Sequence, residues 1–259
     1  MMNTFEKKRL DPVSNISIKK ANPVSYKKNV EVGTVSPKNQ LNDLNSKEWI
    51  AFTKSWFIEN PTPRKKEVVL HPAKYPESLA KRFLKFFTKA RNGSMVFDPF
   101  LGTGSTLVAV EQLNNESDGN RRAIGIELNP DYVEIAKTRN QQRIICADSI
   151  HYPVDKLPEI DFIMTSPPYW NVLHKKTGHI HKQRKAQGMD LVYSDNESDL
   201  GNIKDYEEFI TILSRYFARL STRLKNKKFC VVVLSSTNCK GQFYPLPYDF
   251  ARAVQKNHL

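Results

Sequence analysis

The stretch Phe97-Asp98-Pro99-Phe100-Leu101-Gly102-Thr103-Gly104-Ser105-Thr106 constrains the fold of this chain more than any other. A short apolar run, Ser94-Met95-Val96-Phe97, precedes it. Leu107-Val108-Ala109-Val110-Glu111-Gln112-Leu113 follows, with apolar spacing that suits a helix packed on a sheet. The whole reads as strand, tight glycine turn, helix. Gly102 and Gly104 allow φ > 0 and a close approach of the backbone to a ligand, and the first helical turn, from Ser105 and Thr106, offers unpaired N–H groups. That is a cradle for a nucleotide or cofactor, although the turn alone fits an ordinary strand-to-helix connection equally well. Asp98 and Pro99 sharpen the reading. An acid at a strand's carboxyl end points an acceptor at the pocket, and the proline stiffens the exit from the strand.

A chain of 259 residues can bury one full α/β core with an appended arm. Its formal net charge of +13 points to a polyanionic partner, because a positive field attracts phosphates whatever their sequence. Nucleic acid is the expected partner. No apolar run approaches a membrane span, and nothing forms a basic amphipathic anchor, so no membrane role is expected. The opening MMNTFEKKRLDPVSN lacks the apolar core of a secretory signal, and the expected location is cytoplasmic. Cys146, Cys230 and Cys239 are widely spaced with no CxxC pair, which predicts reduced, partly buried thiols and no metal site.

Residues 1–44 are rich in Lys, Asn, Ser and Pro and show no helical or strand period. They read as a mobile basic arm, which lies along a phosphate backbone or is a solvated tail. Residues 45–259 read as a single domain. A helix is expected from Lys47 to Phe57, with Trp49, Phe52 and Trp56 as core. Pro76 opens the next helix, whose apolar face holds Leu79, Phe83, Leu84, Phe86 and Phe87 and which stops at Asn92-Gly93. Beyond the glycine turn, a second strand runs from Arg122 to Glu127, Asn129-Pro130-Asp131 opens a helix, and a third strand from Arg143 leads into Asp148. Asp98, Glu127 and Asp148 therefore end successive strands, and ligands of parallel sheets bind at that edge. Glu127 is placed to accept from ribose hydroxyls and Asp148 from an adenine amino group.

A fourth strand, Ile160 to Thr165, runs directly into Ser166-Pro167-Pro168-Tyr169-Trp170. Consecutive prolines make a rigid loop with no amide donors beside its carbonyls, so one carbonyl can face a substrate. Taken alone, the same residues also fit a plain proline turn. The following loop carries Lys175, Lys176, Lys182, Arg184 and Lys185 with His174, His179 and His181, and no acid before Asp190. It suits phosphate contact or simple solvation, and the histidines lack Cys or acid partners at zinc-ligand spacing. A helix with Phe209, Ile212, Leu213, Phe217 and Leu220 on one face, a fifth strand at Phe229–Leu234 and a helix from Pro247 complete the pattern.

Together, FDPFLGTGST and SPPY resemble the DPFxGxG and D/N/S-PP-Y/F/W signatures of S-adenosylmethionine-dependent amino-methyltransferases that act on DNA. The resemblance covers roughly residues 68–259. It implies an α/β fold with a doubly wound, mostly parallel sheet of the Rossmann-like class I methyltransferase type. It also implies a site for S-adenosyl-L-methionine built from Tyr75, Ser78, Asp98, Pro99, Phe100, Gly102, Gly104, Ser105, Thr106, Glu127 and Asp148, with His71 and Lys74 on the cofactor's carboxylate side. The implied reaction moves a methyl group to an exocyclic base amine. Such an amine is a poor nucleophile until acceptors hold both its hydrogens. Ser166 oxygen and the Pro167 carbonyl are those acceptors, Pro168 stiffens the loop, and Tyr169, helped by Trp170, stacks on a base swung out of double-stranded DNA. Trp170, Lys175, Lys176, Lys182, Arg184 and Lys185 are the expected DNA contacts. Ser at the first position leans toward N4 of cytosine, in a modification or restriction-modification system with a cognate endonuclease. N6 of adenine, an RNA base, and a non-catalytic cofactor- or DNA-binding fragment remain open. The family's sixth and seventh strands and its target-recognition region are not visible, as in a truncated or split enzyme whose sheet a second chain completes.

Overall fold

The computed structural model describes residues 35–36, 38–59, 75–170 and 199–257. Five strands form one sheet: β1 (Met95–Asp98), β2 (Arg122–Glu127), β3 (Arg143–Cys146), β4 (Ile160–Thr165) and β5 (Leu224–Val232). Their order is β3-β2-β1-β4-β5 and every pairing is parallel. The order reverses between β1 and β4, so a crevice opens where their carboxyl ends part.

β1 and β4 are buried at every residue, as strands covered on both faces must be. Their side chains alternate between two cores. Val96, Phe162 and Met164 face Ala80 and Leu84 of α2 (Glu77–Phe87), Leu107 and Val110 of α3 (Ser105–Ser117) and Ala136 of α4 (Pro130–Arg139). Phe97, Ile124 and Ile163 face the other way, onto Phe209, Leu213 and Phe217 of α5 (Tyr206–Ser221) and Phe250 of α6 (Leu246–Asn257). The period of two in the strands thus makes the doubly wound sandwich that the sequence implies.

Several expectations need correction. The first helix, α1 (Ser46–Phe52), is shorter than Lys47–Phe57; Asn45 and Glu48 cap it reciprocally, and the chain leaves it at Thr53. Trp56 lies beyond that exit and is 76% exposed, so it is no core residue, whereas Phe52 stacks on Phe86 at 3.8 Å. β5 starts earlier than Phe229 and is half-exposed along its length, as an edge strand is. Cys146 and Cys230 are exposed rather than partly buried, and neither they nor Cys239 is in a disulfide. The segment before α1, read as the end of the arm, packs on the domain. Asn42 is fully buried and donates to the Phe86 carbonyl at 2.6 Å, and Asp43 accepts from the Ala90 amide at 2.7 Å. A small antiparallel hairpin not foreseen in the sequence, β6 (Thr237–Cys239) with β7 (Gln242–Tyr244), turns at Lys240 and Gly241, both with positive φ. Among the described residues, no helix is long and apolar enough to cross a membrane.

Candidate active site

The glycine turn leaves β1 and is fastened to β2. The Leu101 amide donates to the Ile126 carbonyl at 2.9 Å, and the Leu101 side chain lies over Gly125, where a Cβ would come within 2.7 Å of it. Gly102 and Gly104 take φ of 54° and 89°. The Gly102 amide donates to Glu127 Oε2 at 2.7 Å and the Asn129 amide to Oε1 at 2.9 Å. Burial nevertheless pushes the Glu127 carboxyl up to about 7, because desolvation outweighs the two amides. Gly104 serves packing: a Cβ there would meet Ala136 Cβ at 3.2 Å, so its absence lets α3 lie close to α4. Arg139, at the end of α4, donates to the Thr103 carbonyl and pairs with Glu77 at the start of α2, tying the turn to both helices.

Asp98 does not point a vacant acceptor at the pocket, as the sequence suggested. It is 1% exposed; Oδ2 accepts from Thr106 Oγ1 and from the Tyr75 hydroxyl at 3.1 Å, and Oδ1 from Thr165 Oγ1 at 2.6 Å and the Phe100 amide at 3.2 Å. The carboxylate is a four-way junction joining β1 to the glycine turn, α3, β4 and the segment that leads into α2. Burial raises its pKa even so. Thr106, 0% exposed, is likewise committed to this junction, and the Pro99 carbonyl accepts from Ser149 Oγ. Asp148 accepts from the Ile150 amide at 2.9 Å and pairs with His151 at 2.6 Å, so its lone pairs are partly used beside the same edge.

The proline loop leaves β4 one strand away. Ser166 Oγ donates to the Tyr169 hydroxyl at 3.2 Å, and burial raises the Tyr169 pKa. Burial first, then Asp98, raises the pKa of the Tyr75 hydroxyl; the hydrogen bond from Thr165 Oγ1 to Asp98 roots the loop beside the Asp98 junction. Pro167 is buried, and Ser166, Pro168 and Tyr169 are half-buried at the crevice. Trp170 departs from expectation. It is 4% exposed, and its ring packs against Tyr206 at 5.0 Å and Tyr244 at 4.7 Å, so it anchors the loop in the core rather than meeting DNA. His71, Lys74, Lys175, Lys176, Lys182, Arg184 and Lys185 lie outside the described residues.

The remaining polar groups suit an amino-acid-bearing nucleoside. Among the described residues, the hydroxyls of Ser78 and Ser105 are buried with no partner, at the starts of α2 and α3, and the Glu127 carboxyl at the end of β2 accepts only from backbone amides. Buried polar groups of this kind call for a donor or acceptor from a ligand or water. Sequence reasoning missed Thr165, Gly125 and Arg139. A glycine inside a strand was the available signal for Gly125; Thr165 and Arg139 act through tertiary partners that local sequence does not reveal.

A parallel sheet with a glycine turn at its switch point and a rigid proline loop on the adjoining strand defines a class: Rossmann-like α/β domains that bind a nucleoside cofactor at the carboxyl edge. The sequence profile described as "DNA methylase" matches residues 4–138, and that described as "N-6 DNA Methylase" matches residues 74–203. The chain belongs to this family of S-adenosylmethionine-dependent DNA amino-methyltransferases. It is 29% identical to the Type II methyltransferase M.BglI of Bacillus subtilis over 161 residues, 61% of this chain and 38% of that protein. It is 33% identical to the Type II methyltransferase M.HpaI of Haemophilus parainfluenzae over 88 residues, 34% of this chain and 26% of that one. Among solved structures, TrmN from Thermus thermophilus is similar with a TM-score of 0.42 at 17% identity, covering 69% of this chain and 40% of that chain. The chain spans under two fifths of the length of these curated relatives.

Proposed function

We propose that this chain methylates an exocyclic amine of a base in double-stranded DNA, with N4 of cytosine as the preferred target, within a modification or restriction-modification system. The observation that carries the reading is the meeting of the two loops: Thr165, at the root of the Ser166–Tyr169 loop, is hydrogen-bonded to Asp98 and Phe100 at the root of the glycine turn. S-adenosylmethionine supplies an electrophilic methyl group when bound. Glu127, Ser78 and Ser105 are the groups that would hold it. Ser166 Oγ donates its hydrogen bond to the Tyr169 hydroxyl, which leaves its lone pairs for a substrate. Those lone pairs and the Pro167 carbonyl accept the two amino hydrogens and bring the nitrogen lone pair out of conjugation. Tyr169 supplies the face on which an extruded base stacks.

A second reading has this chain acting only beside another polypeptide. It is favoured by the outer edge of β5, which has no strand partner among the described residues and where Phe229 is 43% exposed. Transfer of tritiated methyl from S-adenosylmethionine to DNA, RNA and protein by the purified chain separates the readings. Label in DNA that falls by about 100-fold or more in Ser166→Ala and by about 10-fold or more in Tyr169→Ala supports the first. Cofactor binding with no transfer to any acceptor supports the second.

A further inference from the structure

The backbone ladder between β1 and β4 ends at Phe97 opposite Ile163. Both loops of the site lie past that point, Asp98 to Gly104 on one strand and Ser166 to Tyr169 on the other. Twisted strands diverge once their ladder stops, so backbone pairing does not fix the distance between the loops. Among the described residues, the hydrogen bonds joining the two exits both end on one atom. Thr165 Oγ1 donates to Asp98 Oδ1 at 2.6 Å and accepts from the Phe100 amide at 3.2 Å. On its other side the Thr165 carbonyl accepts from the Val233 amide at 2.9 Å, and the residue is 0% exposed. Asp98 is held in turn by Thr106 at the start of α3 and by Tyr75 ahead of α2. A continuous path of hydrogen bonds therefore runs from the first turn of α3 to the residue preceding Ser166.

We propose that Thr165 is a positioning residue for the transfer step, whose hydroxyl sets the separation between the glycine turn and the Ser166–Tyr169 loop. The proposal rests on the methyl-transfer reading of this site. Thr165 acts through Asp98 and Ser166 and touches neither reactant itself. The leverage is large because in-line attack tolerates little error: a displacement of about 1 Å can cost about 100-fold in rate. A threonine suits the position. Its β-branch fits a strand and stiffens χ1, which aims the hydroxyl at Asp98.

The test compares Thr165→Val, which keeps the shape and removes the hydroxyl, with Thr165→Ser, which keeps the hydroxyl, in the full chain. Three quantities are read: hydrogen exchange of the Phe100 amide and of the 165–169 segment without ligand, Kd for S-adenosylmethionine, and kcat and KM for methyl transfer to DNA. Thr165→Val is expected to speed Phe100 exchange about 10-fold, to shift Kd by less than about 3-fold, and to lower kcat about 100-fold with KM for DNA nearly unchanged. Thr165→Ser is expected to restore all three. Should Thr165→Val not fold, Thr165→Ala, which cannot clash, takes its place. A valine variant with wild-type kcat or wild-type Phe100 exchange overturns the proposal, as does a serine variant impaired as much as the valine. If the wild-type chain transfers no methyl, the methyl-transfer reading fails, and the exchange measurements alone decide whether the clamp exists.

Discussion

Glu127 holds two opposing influences in one carboxyl group: two backbone amides favour its charge, and burial opposes it and wins, lifting it from 4.5 to about 7. Because the folded value is the higher, this group's contribution to stability is complete below its ordinary range and is lost as pH rises through about 7. Ribose hydroxyls donate to the ionised form, so affinity for S-adenosylmethionine is expected to increase as pH is taken through about 7. In Glu127→Gln the affinity is expected to weaken by roughly 1–3 kcal/mol and to lose that pH dependence. Titration calorimetry across the range checks both, and a glutamine variant with the wild-type profile removes Glu127 from the cofactor site. Gly125 is the complementary case, where an absent side chain matters. A Cβ at Gly125 would force Leu101, itself 4% exposed, to shift within packed surroundings, so Gly125→Ala should cost about 1–3 kcal/mol in urea unfolding through overpacking. A change under about 0.5 kcal/mol would mean that the turn relaxes freely.

Among the elements, α2 works with two faces: Ala80 and Leu84 join the sheet's core, while Phe83 and Phe86 hold α1 through Phe52. No residue of α1 is fully buried. Phe52→Ala should therefore release α1 alone, a loss of about 0.5–1.5 kcal/mol. It is read as faster hydrogen exchange across Ser46–Phe52 with β1 and β4 unchanged; slowed or unaltered exchange in α1 would contradict the packing. The apolar face of α2 was readable from spacing, and so were β1 and β4, because strands buried on both faces are apolar throughout; β3, an edge strand, was still readable through the apolar pair Ile144-Ile145. The early start of β5 was not, because Lys225, Asn226, Lys227 and Lys228 belong to an edge strand that needs no apolar run. The end of α1 was hidden too: Thr53 leaves the helix without a glycine or proline, and the aromatic residues beyond it imitate a continued face. In the site, the two motifs announced themselves, but the partners did not. That the lone pairs of Asp98 go to Tyr75, Thr106 and Thr165 is decided by tertiary packing. An aromatic side chain serves stacking and core equally well, and only Tyr206 and Tyr244 settle that Trp170 is core.

At the scale of the whole molecule, the net charge of +13 means that DNA affinity should fall steeply with added salt. Replacing Lys175, Lys176, Lys182, Arg184 and Lys185 by Gln should flatten the plot of log affinity against log salt, by about one unit of slope for each phosphate no longer neutralised, and leave the Kd for S-adenosylmethionine unchanged. An unaltered slope would show that those cations do not meet DNA. The central question is which atom receives the methyl group. DNA incubated with the chain and methyl-labelled S-adenosylmethionine, then digested and separated into nucleosides, answers that directly. Label in N4-methylcytosine is the result predicted. Label in N6-methyladenine would overturn the cytosine preference while upholding amine transfer. Label on a ring carbon, or none in any nucleoside while the cofactor binds, would contradict the central claim.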